Sequence, residues 1–345
     1  AGRLPWHPWV KGADVVQLHN LHGQYFPFPK LVQLSHQKPV VWLLHDMWAL
    51  SGHCSFNFGC ERWRSGCGNC PILHEDYLPL RRDTTGLHWR LKQRTYARSH
   101  LHIVAPSRWL VNQAKNSPLL ARFPIHHIPY GLNTEIHKPL HQAAALHILD
   151  LPKDARVILF AAHVLDDSPR KGATHFRRML ERLKTEVPEM AAKLQVLMIG
   201  FGPVGDSEVA GIRCRQMGYI RSARMLSAIY AAADMLVMPT LADNLPLTIM
   251  ECLACATPVV AFDSGGVCDL VKDGVTGALV PRLDDDALLN AVATYLRHPE
   301  LRRRHGQAGR QLMLRNCTLN RQARSYETLY RQVIAEHGIR AKNHA

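Results

Sequence analysis

Short apolar runs alternate along the chain with longer segments that have helical periodicity. The runs that predict strands are at residues 13–18, 39–44 and 101–105 in the first half, and at residues 156–161, 194–200, 234–238 and 258–262 in the second. Such runs are typical of strands buried on both faces, because parallel sheets are covered by the helices that connect their strands. The pattern therefore predicts an α/β fold built from repeated strand–helix units.

The chain length and the chain breakers together predict two domains. A chain of 345 residues with 47% apolar residues can bury two cores of ordinary size, but hardly a single continuous one. Residues 128–133, Ile-Pro-Tyr-Gly-Leu-Asn, have the turn-forming residues of an interdomain connection. We expect an N-terminal domain at residues 1–133, a C-terminal domain at residues 134–318, and a helix with a tail at residues 319–345 that packs back towards the N-terminal domain.

Helical patterns complete the C-terminal part of the chain. Asp284-Asp285-Asp286 places carboxylates where the positive end of a helix begins, so a helix is predicted to start there. Two further helices are predicted at residues 300–314 and 319–336.

The formal net charge is +14, from 42 Lys and Arg against 28 Asp and Glu. Such a charge attracts polyanions, anionic membranes and phosphate-bearing small molecules alike. The basic residues are spread from Lys11 to Lys342 rather than gathered in one patch, which disfavours nucleic acid as a partner. The sequence contains no run of about 18 consecutive apolar residues. Its first residues lack the regions of a secretory signal, so we expect a cytoplasmic protein.

The most informative stretch is 230–266, where a buried strand, a polar loop, a helix, a second buried strand and a Gly-Gly turn follow one another. That order places two loops at the carboxyl ends of neighbouring parallel strands, where open α/β sheets bind ligands. Asp243 and Glu251 are eight residues apart, and Pro246 is expected in the first turn of the intervening helix. Backbone N–H groups at a helix start near Asn244 would then form a phosphate site. From the residues alone, an N-cap Asp and a solvated helix Glu remain the alternative.

This stretch resembles the E-x7-E signature of the retaining GT-B glycosyltransferases of family 4, with Asp243 in place of the first Glu. The resemblance extends over nearly the whole chain. It is also carried by Arg170-Lys171-Gly172, Gly200-Phe201-Gly202-Pro203, Gly218-Tyr219-Ile220, Asp273-Gly274-Val275-Thr276-Gly277, Leu44-His45-Asp46, Pro106-Ser107 and residues 128–133. It implies the GT-B fold, with two Rossmann-like domains that face a cleft. Such a chain normally begins with a strand and a glycine-rich turn, so the late first strand suggests an incomplete N-terminal domain.

The resemblance implies a site for a nucleoside-diphosphate sugar, a UDP- or GDP-sugar, in the C-terminal domain. Lys171, beside Arg170, would stabilise the charge that develops on the leaving β-phosphate. Glu251 would bind the ribose hydroxyls, and Asp243 the transferred sugar. The other implied donor-binding residues are the base-flanking pair Tyr219 and Ile220, the turn residue Gly202, the helix start Asn244, Leu245, Pro246 and Leu247, and the turn Gly265 and Gly266. Transfer with retention by front-face displacement is implied, without a cofactor or a catalytic metal.

His45 is the candidate catalytic residue of the N-terminal half. It follows a predicted buried strand and precedes Asp46, whose carboxylate could orient its tautomer. A structural histidine is the alternative, because the chain has 21 histidines. The resemblance favours contact with the donor sugar or the acceptor, and His19 and His22 are weaker candidates of the same kind.

Four cysteines, Cys54, Cys60, Cys67 and Cys70, lie within 17 residues. Four thiolates can hold a structural zinc ion, although the spacing is irregular for a zinc finger or ribbon. Reduced thiols that pack a loop, or a redox role, remain open. The run from His45 through Pro71 resembles a bacterial subset of the family that builds exopolysaccharide, colanic-acid-type and O-antigen chains. That subset implies a lipid-linked saccharide acceptor.

Three further hypotheses remain open. A group of basic residues lies among apolar residues after the cysteines: Arg81, Arg82, Arg90, Lys92, Arg94 and Arg98. This group predicts peripheral contact with the inner face of an anionic membrane. The alternative is a solvated helix face. A zinc-containing nucleic-acid binder would explain the charge and the cysteines. A GT-B epimerase or phosphorylase would keep the fold and change the chemistry.

Overall fold

The computed structural model describes residues 4–22, 26–74, 80–164 and 169–343. The chain divides into two compact units. The first unit contains residues 1–129 together with 320–345, and the second contains residues 130–319. The division falls between Pro129 and Tyr130, inside the segment that carries the predicted chain breakers.

The first unit contains a four-stranded parallel sheet in the order β1-β2-β3-β4. Its strands are β1 Val16–Leu18, β2 Val40–Leu43, β3 His102–Ala105 and β4 Ile125–His127. β2 and β3 are buried along their whole length, as their apolar sequences predict. β1 starts later than predicted because a short helix, capped by His7, ends in the preceding residues. β4 is only partly buried and contains two histidines, so no apolar run marks it.

Four helices accompany this sheet: α1 Pro8–Gly12, α2 Lys30–Gln37, α3 Thr85–Ala97 and α4 Arg108–Lys115. α4 starts at Ser107, whose hydroxyl accepts a hydrogen bond from the Leu110 amide at 3.1 Å, an ordinary N-cap. Single 3₁₀ turns lie at Leu4–Trp6 and Arg62–Arg64. The largest side chains of this core are Trp42, Trp63 and Tyr96, each at most 2% exposed.

The second unit is built on a seven-stranded sheet in the order β11-β10-β9-β5-β6-β8-β7. The strands are β5 Arg156–Val164, β6 Leu194–Phe201, β7 Val204–Val209, β8 Ile212–Met217, β9 Met235–Met238, β10 Val259–Phe262 and β11 Gly277–Val280. All neighbours pair in parallel except β7 and β8, which form a hairpin. Ala210 and Gly211 turn this hairpin with positive φ at both positions, the geometry that two-residue hairpin turns favour.

Helices cover this sheet and extend to the end of the chain. They are α5 Gln142–Ile148, α6 Ala173–Glu186, α7 Pro188–Ala191, α8 Ala223–Ala232, α9 Leu247–Ala254, α10 Val267–Leu270, α11 Asp285–Arg297, α12 Pro299–Asn316 and α13 Leu319–Asn343. The predicted start of α11 is confirmed: Asp284 accepts a hydrogen bond from the Ala287 amide at 2.8 Å. α13 packs on the first unit, where Glu336 lies 3.2 Å from His102. Within the described ranges, no helix combines the length and the apolar character that crossing a membrane requires.

Candidate active site

Several predicted site residues follow neighbouring parallel strands of the second unit. Lys171 ends the 3₁₀ turn Pro169–Lys171 after β5, Asp243 follows β9, and Gly265 follows β10. β10, β9 and β5 are adjacent in the sheet, so the three loops emerge at the same edge. Gly202 follows the next strand, β6, at that edge as well. The strand order therefore brings together segments that are far apart along the chain.

Hydrogen bonds tie these loops to one another. The Arg170 carbonyl accepts from the Leu241 amide at 2.7 Å and from the Thr240 hydroxyl at 3.0 Å. The Ser264 hydroxyl donates to the Thr240 carbonyl at 2.6 Å. The Gly266 amide donates to the Asp243 carbonyl at 3.0 Å. Since each loop is bonded to the next, the side chains that they carry are held in a defined arrangement.

Asp243 is the centre of a charge cluster. It is 9% exposed, and its Oδ2 lies 2.5 Å from Lys171 Nζ and 3.4 Å from the Arg170 guanidinium. Two cations on one carboxylate leave the cluster with net positive charge. Arg170 also donates to the Ala242 carbonyl at 2.9 Å, which fixes its side chain. Lys171 and Asp243, both predicted, are in direct contact.

The helix start differs from the prediction. α9 begins at Leu247 with Pro246 as its N-cap, rather than near Asn244. The reason is local: the Asn244 amide donates to the carboxylate of Asp243 at 3.0 Å, and this contact holds the loop outside the helix. Asn244, Leu245 and Pro246 are buried, while Leu247 is 51% exposed. The first amide groups of α9 are therefore those of Leu247 and Thr248, because the Ile249 amide already donates to the Pro246 carbonyl at 3.1 Å.

Glu251, in the second turn of α9, is partly buried and accepts a hydrogen bond from the Tyr230 hydroxyl at 2.5 Å. Burial raises the pKa of Glu251, and the Tyr230 hydrogen bond opposes that shift. The alternative of a solvated Glu251 is therefore wrong, and so is that of an N-cap Asp243, because α9 is capped by Pro246. The sequence gives no signal for Tyr230, whose partner lies on a different helix.

Gly265 is required by close backbone approach. Its φ is +57°, and a Cβ built on it would lie 1.9 Å from the Asp243 carbonyl oxygen. Gly172, with φ of +75°, would meet the Pro239 carbonyl at 1.8 Å in the same way. Both glycines thus allow neighbouring loops of the site to contact each other, whatever ligand approaches them.

Two exposed aromatic rings are stacked beside the predicted base-flanking residues. Phe201, the last residue of β6, lies against Tyr219 with ring centroids 4.5 Å apart and an interplanar angle of 11°. Phe201 is 46% exposed and Tyr219 58% exposed, whereas Ile220 is partly buried against the core. The Gly200 amide donates to the Gly218 carbonyl at 3.1 Å and joins the two segments. Phe201 is a site candidate that the sequence motif contained but did not single out.

His45 belongs to the first unit, where it follows β2 and is partly buried. Its Nε2 lies 2.9 Å from Nδ1 of His19, and the two rings are stacked. The expectation that Asp46 orients His45 is wrong. The Asp46 carboxylate accepts from the Trp48 amide at 2.8 Å and lies 3.1 Å from His22. Burial lowers the pKa of His45, and His19 lowers it further.

The four predicted zinc ligands line one pocket. Cys54, Cys60, Cys67 and Cys70 surround it together with Trp63. The turn before Cys70 has positive φ at four successive residues, 66–69, and the Gly52 amide donates to Cys67 Sγ at 3.2 Å. In the described ranges, however, no three His, Cys, Asp or Glu side chains converge as a metal ion requires. The thiols are near one another without forming a metal-binding geometry, and zinc stays a prediction.

The basic segment near the cysteine loop is divided between surface and core. Arg90, Arg94 and Arg98 are exposed, but Lys92 is only 2% exposed and donates to the carbonyls of Trp48 and Ser51. The expectation that Lys92 belongs to a basic surface is therefore wrong. Its position on α3 directs it into the core of the first unit.

Comparison with known proteins assigns the second unit to a class. Residues 155–298 match the family model of the glycosyl transferases group 1. The matched segment contains the charge cluster, α9 and the stacked aromatic rings. This match agrees with the prediction of a glycosyltransferase for that segment.

Named relatives agree with this class. Over 188 residues the chain is 31% identical to a D-inositol 3-phosphate glycosyltransferase of Streptosporangium roseum, which covers 50% of this chain and 41% of the relative. Over 279 residues it is 25% identical to the putative colanic acid biosynthesis glycosyl transferase WcaC of Escherichia coli K12, which covers 76% of this chain and 62% of the relative. The chain thus spans less than two thirds of the length of either relative.

Solved structures confirm the fold. Sucrose-phosphate synthase from Thermosynechococcus elongatus superposes with a TM-score of 0.69 at 21% identity, covering 94% of this chain and 75% of that one. HepE of Anabaena, in complex with UDP-glucose, superposes with a TM-score of 0.66 at 16% identity, covering 93% and 79%. The predicted α/β fold of GT-B type is therefore confirmed.

Proposed function

We propose that the protein transfers a sugar from a nucleoside-diphosphate sugar to a saccharide acceptor. The observation that carries this proposal is the cluster of Lys171, Arg170 and Asp243 at the carboxyl edge of the sheet, in loops bonded to one another. This edge is where open α/β sheets bind nucleotides. A second carboxylate, Glu251, lies on the helix that starts just beyond the cluster.

In this proposal the phosphate charge is met by protein groups. Breaking the bond between the anomeric carbon and the β-phosphate leaves negative charge on the phosphate oxygens. The Lys171 ammonium, the Arg170 guanidinium and the first-turn amides of α9 can stabilise that charge. The leaving phosphate would accept the acceptor's hydroxyl proton on the same face, which gives retention of configuration. We propose that no metal or other cofactor takes part.

We propose three further donor contacts. The face of the Phe201 and Tyr219 stack suits a nucleobase, because aromatic faces and base faces are both flat and apolar. An ionised Glu251 can accept two ribose hydroxyls. Asp243 would accept hydroxyl groups of the transferred sugar. UDP is the nucleotide that we test first, because the structurally similar HepE is known in complex with UDP-glucose.

We propose a lipid-linked saccharide as acceptor, in the synthesis of a bacterial surface polysaccharide. The similarity to WcaC over 279 residues supports this role, since that relative is named for colanic acid biosynthesis. The contribution of His45 belongs to the same proposal: as a neutral imidazole it would hydrogen-bond the donor sugar or the acceptor near the reacting atoms.

A basic and apolar face of α3 supports peripheral membrane contact at the inner surface. Leu87 is 60% exposed and Leu91 42% exposed, and the exposed Arg90, Arg94 and Arg98 lie on the same face at helical spacing. Arginines beside exposed leucines suit the boundary between anionic headgroups and acyl chains. We expect co-sedimentation with phosphatidylglycerol vesicles and its loss when Arg90, Arg94 and Arg98 become Glu. Equal binding to phosphatidylcholine vesicles would contradict an electrostatic contact.

The proposed activity is tested by direct detection of sugar transfer. UDP- and GDP-sugars are incubated with the protein and a lipid-linked saccharide extract, and the product is followed by mass spectrometry, with and without EDTA. We expect transfer that EDTA leaves unchanged, together with a raised melting temperature in UDP or GDP. Interconversion of free nucleotide sugars without transfer would favour an epimerase. Salt-dependent binding of DNA or RNA, without nucleotide binding, would favour the nucleic-acid alternative.

A further inference from the structure

A chain of hydrogen bonds connects the C-terminal helix to His45 within the first unit. The hydroxyl of Tyr330, on α13, donates to Oε1 of Gln17 on β1. Nε2 of Gln17 lies 3.0 Å from Nε2 of His19. Nδ1 of His19 lies 2.9 Å from Nε2 of His45. Three successive contacts thus link Tyr330, near the middle of α13, to the candidate catalytic histidine.

The placement of the Gln17 amide sets the direction of the hydrogen bonds along this chain. The Tyr330 hydroxyl donates to Oε1 of Gln17, so the amide NH₂ faces His19. His19 Nε2 must then accept, which places the hydrogen of the neutral ring on Nδ1. That hydrogen is donated to His45 Nε2. A neutral His45 consequently carries its own hydrogen on Nδ1.

The surrounding charges are compatible with neutral rings. Burial lowers the pKa of His19 and of His45. His22 lowers the pKa of His45, and Asp46 raises it. Asp46 is itself engaged by His22 and by the Trp48 amide, so it does not replace His19 as the partner of Nε2.

We propose that Tyr330 is a positioning residue that fixes the Nδ1–H tautomer of His45 through Gln17 and His19. The importance of this tautomer for sugar transfer rests on the proposed function, because it determines which ring nitrogen can donate to a sugar hydroxyl. The tautomer itself is a property of the free protein. Its measurement therefore remains informative even if no transfer is found.

The test is the tautomeric state of His45, read from the ¹⁵N shifts of its two ring nitrogens in labelled protein at a pH well above the ordinary pKa of histidine. The variants are Tyr330→Phe and Tyr326→Phe. Tyr326 is a matched control, one turn earlier on α13, because its buried hydroxyl has no hydrogen-bond partner among the described residues. We expect Nδ1–H in the parent protein and in Tyr326→Phe, and a mixture of tautomers in Tyr330→Phe.

Gln17→Glu provides a second variant that reverses the relay. A carboxylate can only accept from His19, so neutral His19 would carry its hydrogen on Nε2 and His45 would become the donor, with its hydrogen on Nε2. An Nε2–H tautomer in the parent protein, or an unchanged His45 in both Tyr330→Phe and Gln17→Glu, would overturn the proposal. Where transfer is detected, Tyr330→Phe should lower kcat several-fold and leave UDP affinity unchanged. If the parent protein did not bind UDP at all, that result would instead count against the proposed function.

Discussion

The Lys171 ammonium lies 2.5 Å from the Asp243 carboxylate, across loops that follow two neighbouring strands of the sheet. Both side chains are mostly shielded from solvent, at 15% and 12% exposure. Removing one partner of such a pair leaves the other charge poorly compensated. The contact therefore serves two purposes: it ties the two loops together, and it holds the lysine at the edge where the proposed phosphate binds.

The first prediction concerns the cation of this pair. Lys171→Met should lower the rate of sugar transfer about 100- to 1,000-fold, because it removes a charge that stabilises the leaving phosphate. UDP affinity should fall as well, as measured by calorimetry. Lys193→Met is the control, since Lys193 forms an exposed pair with Asp154. An unchanged rate of sugar transfer in Lys171→Met would show that Lys171 does not stabilise the leaving phosphate.

The strand order explains why this contact could not be read from the sequence. The resemblance implies Lys171, the stretch 230–266 indicates Asp243, and the continuous apolar runs predict β5, β6, β9 and β10. That β9 lies directly beside β5 depends on the tertiary arrangement of the sheet. For the same reason the partners Tyr230 and Phe201, which act across elements, had no local signal.

The strands that the sequence does not predict are polar or only partly buried. β7 is an edge strand and β8 lies beside it; both contain charged residues, and β7 is mostly exposed. β11 begins with a glycine, and its two central residues are only partly buried. In the first unit, the pairing of β1 with β2 brings His19 beside His45. The sequence instead predicts Asp46 as the partner of His45, because the two residues are adjacent in the chain. Adjacency in the chain does not predict hydrogen bonds between residues that follow two paired strands.

The second prediction is a pH dependence that originates at Glu251. Burial raises the pKa of Glu251 above its ordinary value of 4.5. Between the ordinary and the raised pKa, the folded state binds more protons than the unfolded state, so stability falls as pH rises through this window. Glu251→Gln should remove this component from the pH profile of the free energy of unfolding, measured with urea. Glu327→Gln is the control, because Glu327 forms an exposed ion pair with Arg331. This variant should retain the pH-dependent component of the unfolding free energy.

Ribose binding should respond in the opposite direction over the same window. An ionised Glu251 accepts hydroxyl hydrogen bonds better than a protonated one, so UDP affinity should rise with pH in the parent protein. Glu251→Gln should bind UDP more weakly and with a flat profile. A parent profile identical to that of the variant would show that Glu251 does not contact the nucleotide.

The third prediction concerns Gly265. Gly265→Ala should destabilise the protein by at least about 1 to 2 kcal/mol, because alanine is strained at this φ and its Cβ would collide with the Asp243 carbonyl. Donor binding should weaken at the same time, since Asp243 would be displaced. Gly338→Ala, on the exposed part of α13 with no atom near the added Cβ, should instead stabilise by about 0.5 to 1 kcal/mol. Both are measured by urea denaturation and calorimetry.

The fourth prediction separates the two main interpretations of the cysteine loop. The thiols line one pocket, and elemental analysis decides between the two: structural zinc predicts one zinc ion per chain, and reduced thiols predict none. With reduced thiols, Cys67→Ser should cost no more than about 1 to 2 kcal/mol, the contribution of a partly buried packing contact and a weak hydrogen bond. Stoichiometric zinc that disappears in Cys67→Ser, with loss of folding, would establish the structural-zinc alternative.

The fifth prediction concerns Lys92, the buried cation of the first unit. Its ammonium donates to the Ser51 carbonyl at 2.8 Å and lies 3.4 Å from the centre of the Trp48 ring. Burial lowers the pKa of Lys92 to about 7. Between this value and the ordinary value of 10.5, the unfolded state binds more protons than the folded state, so stability should rise with pH across that range.

Lys92→Met tests this prediction, because methionine fills similar space without a charge. The variant should lose the dependence on pH above neutrality, and it should be less stable by about 1 to 3 kcal/mol, since the Trp48 and Ser51 carbonyls would lose their donor inside the core. Arg90→Met, on the exposed face of the same helix, is the matched control and should leave the pH profile unchanged. If the parent protein and Lys92→Met had the same slope of unfolding free energy against pH, Lys92 would not be the titrating group.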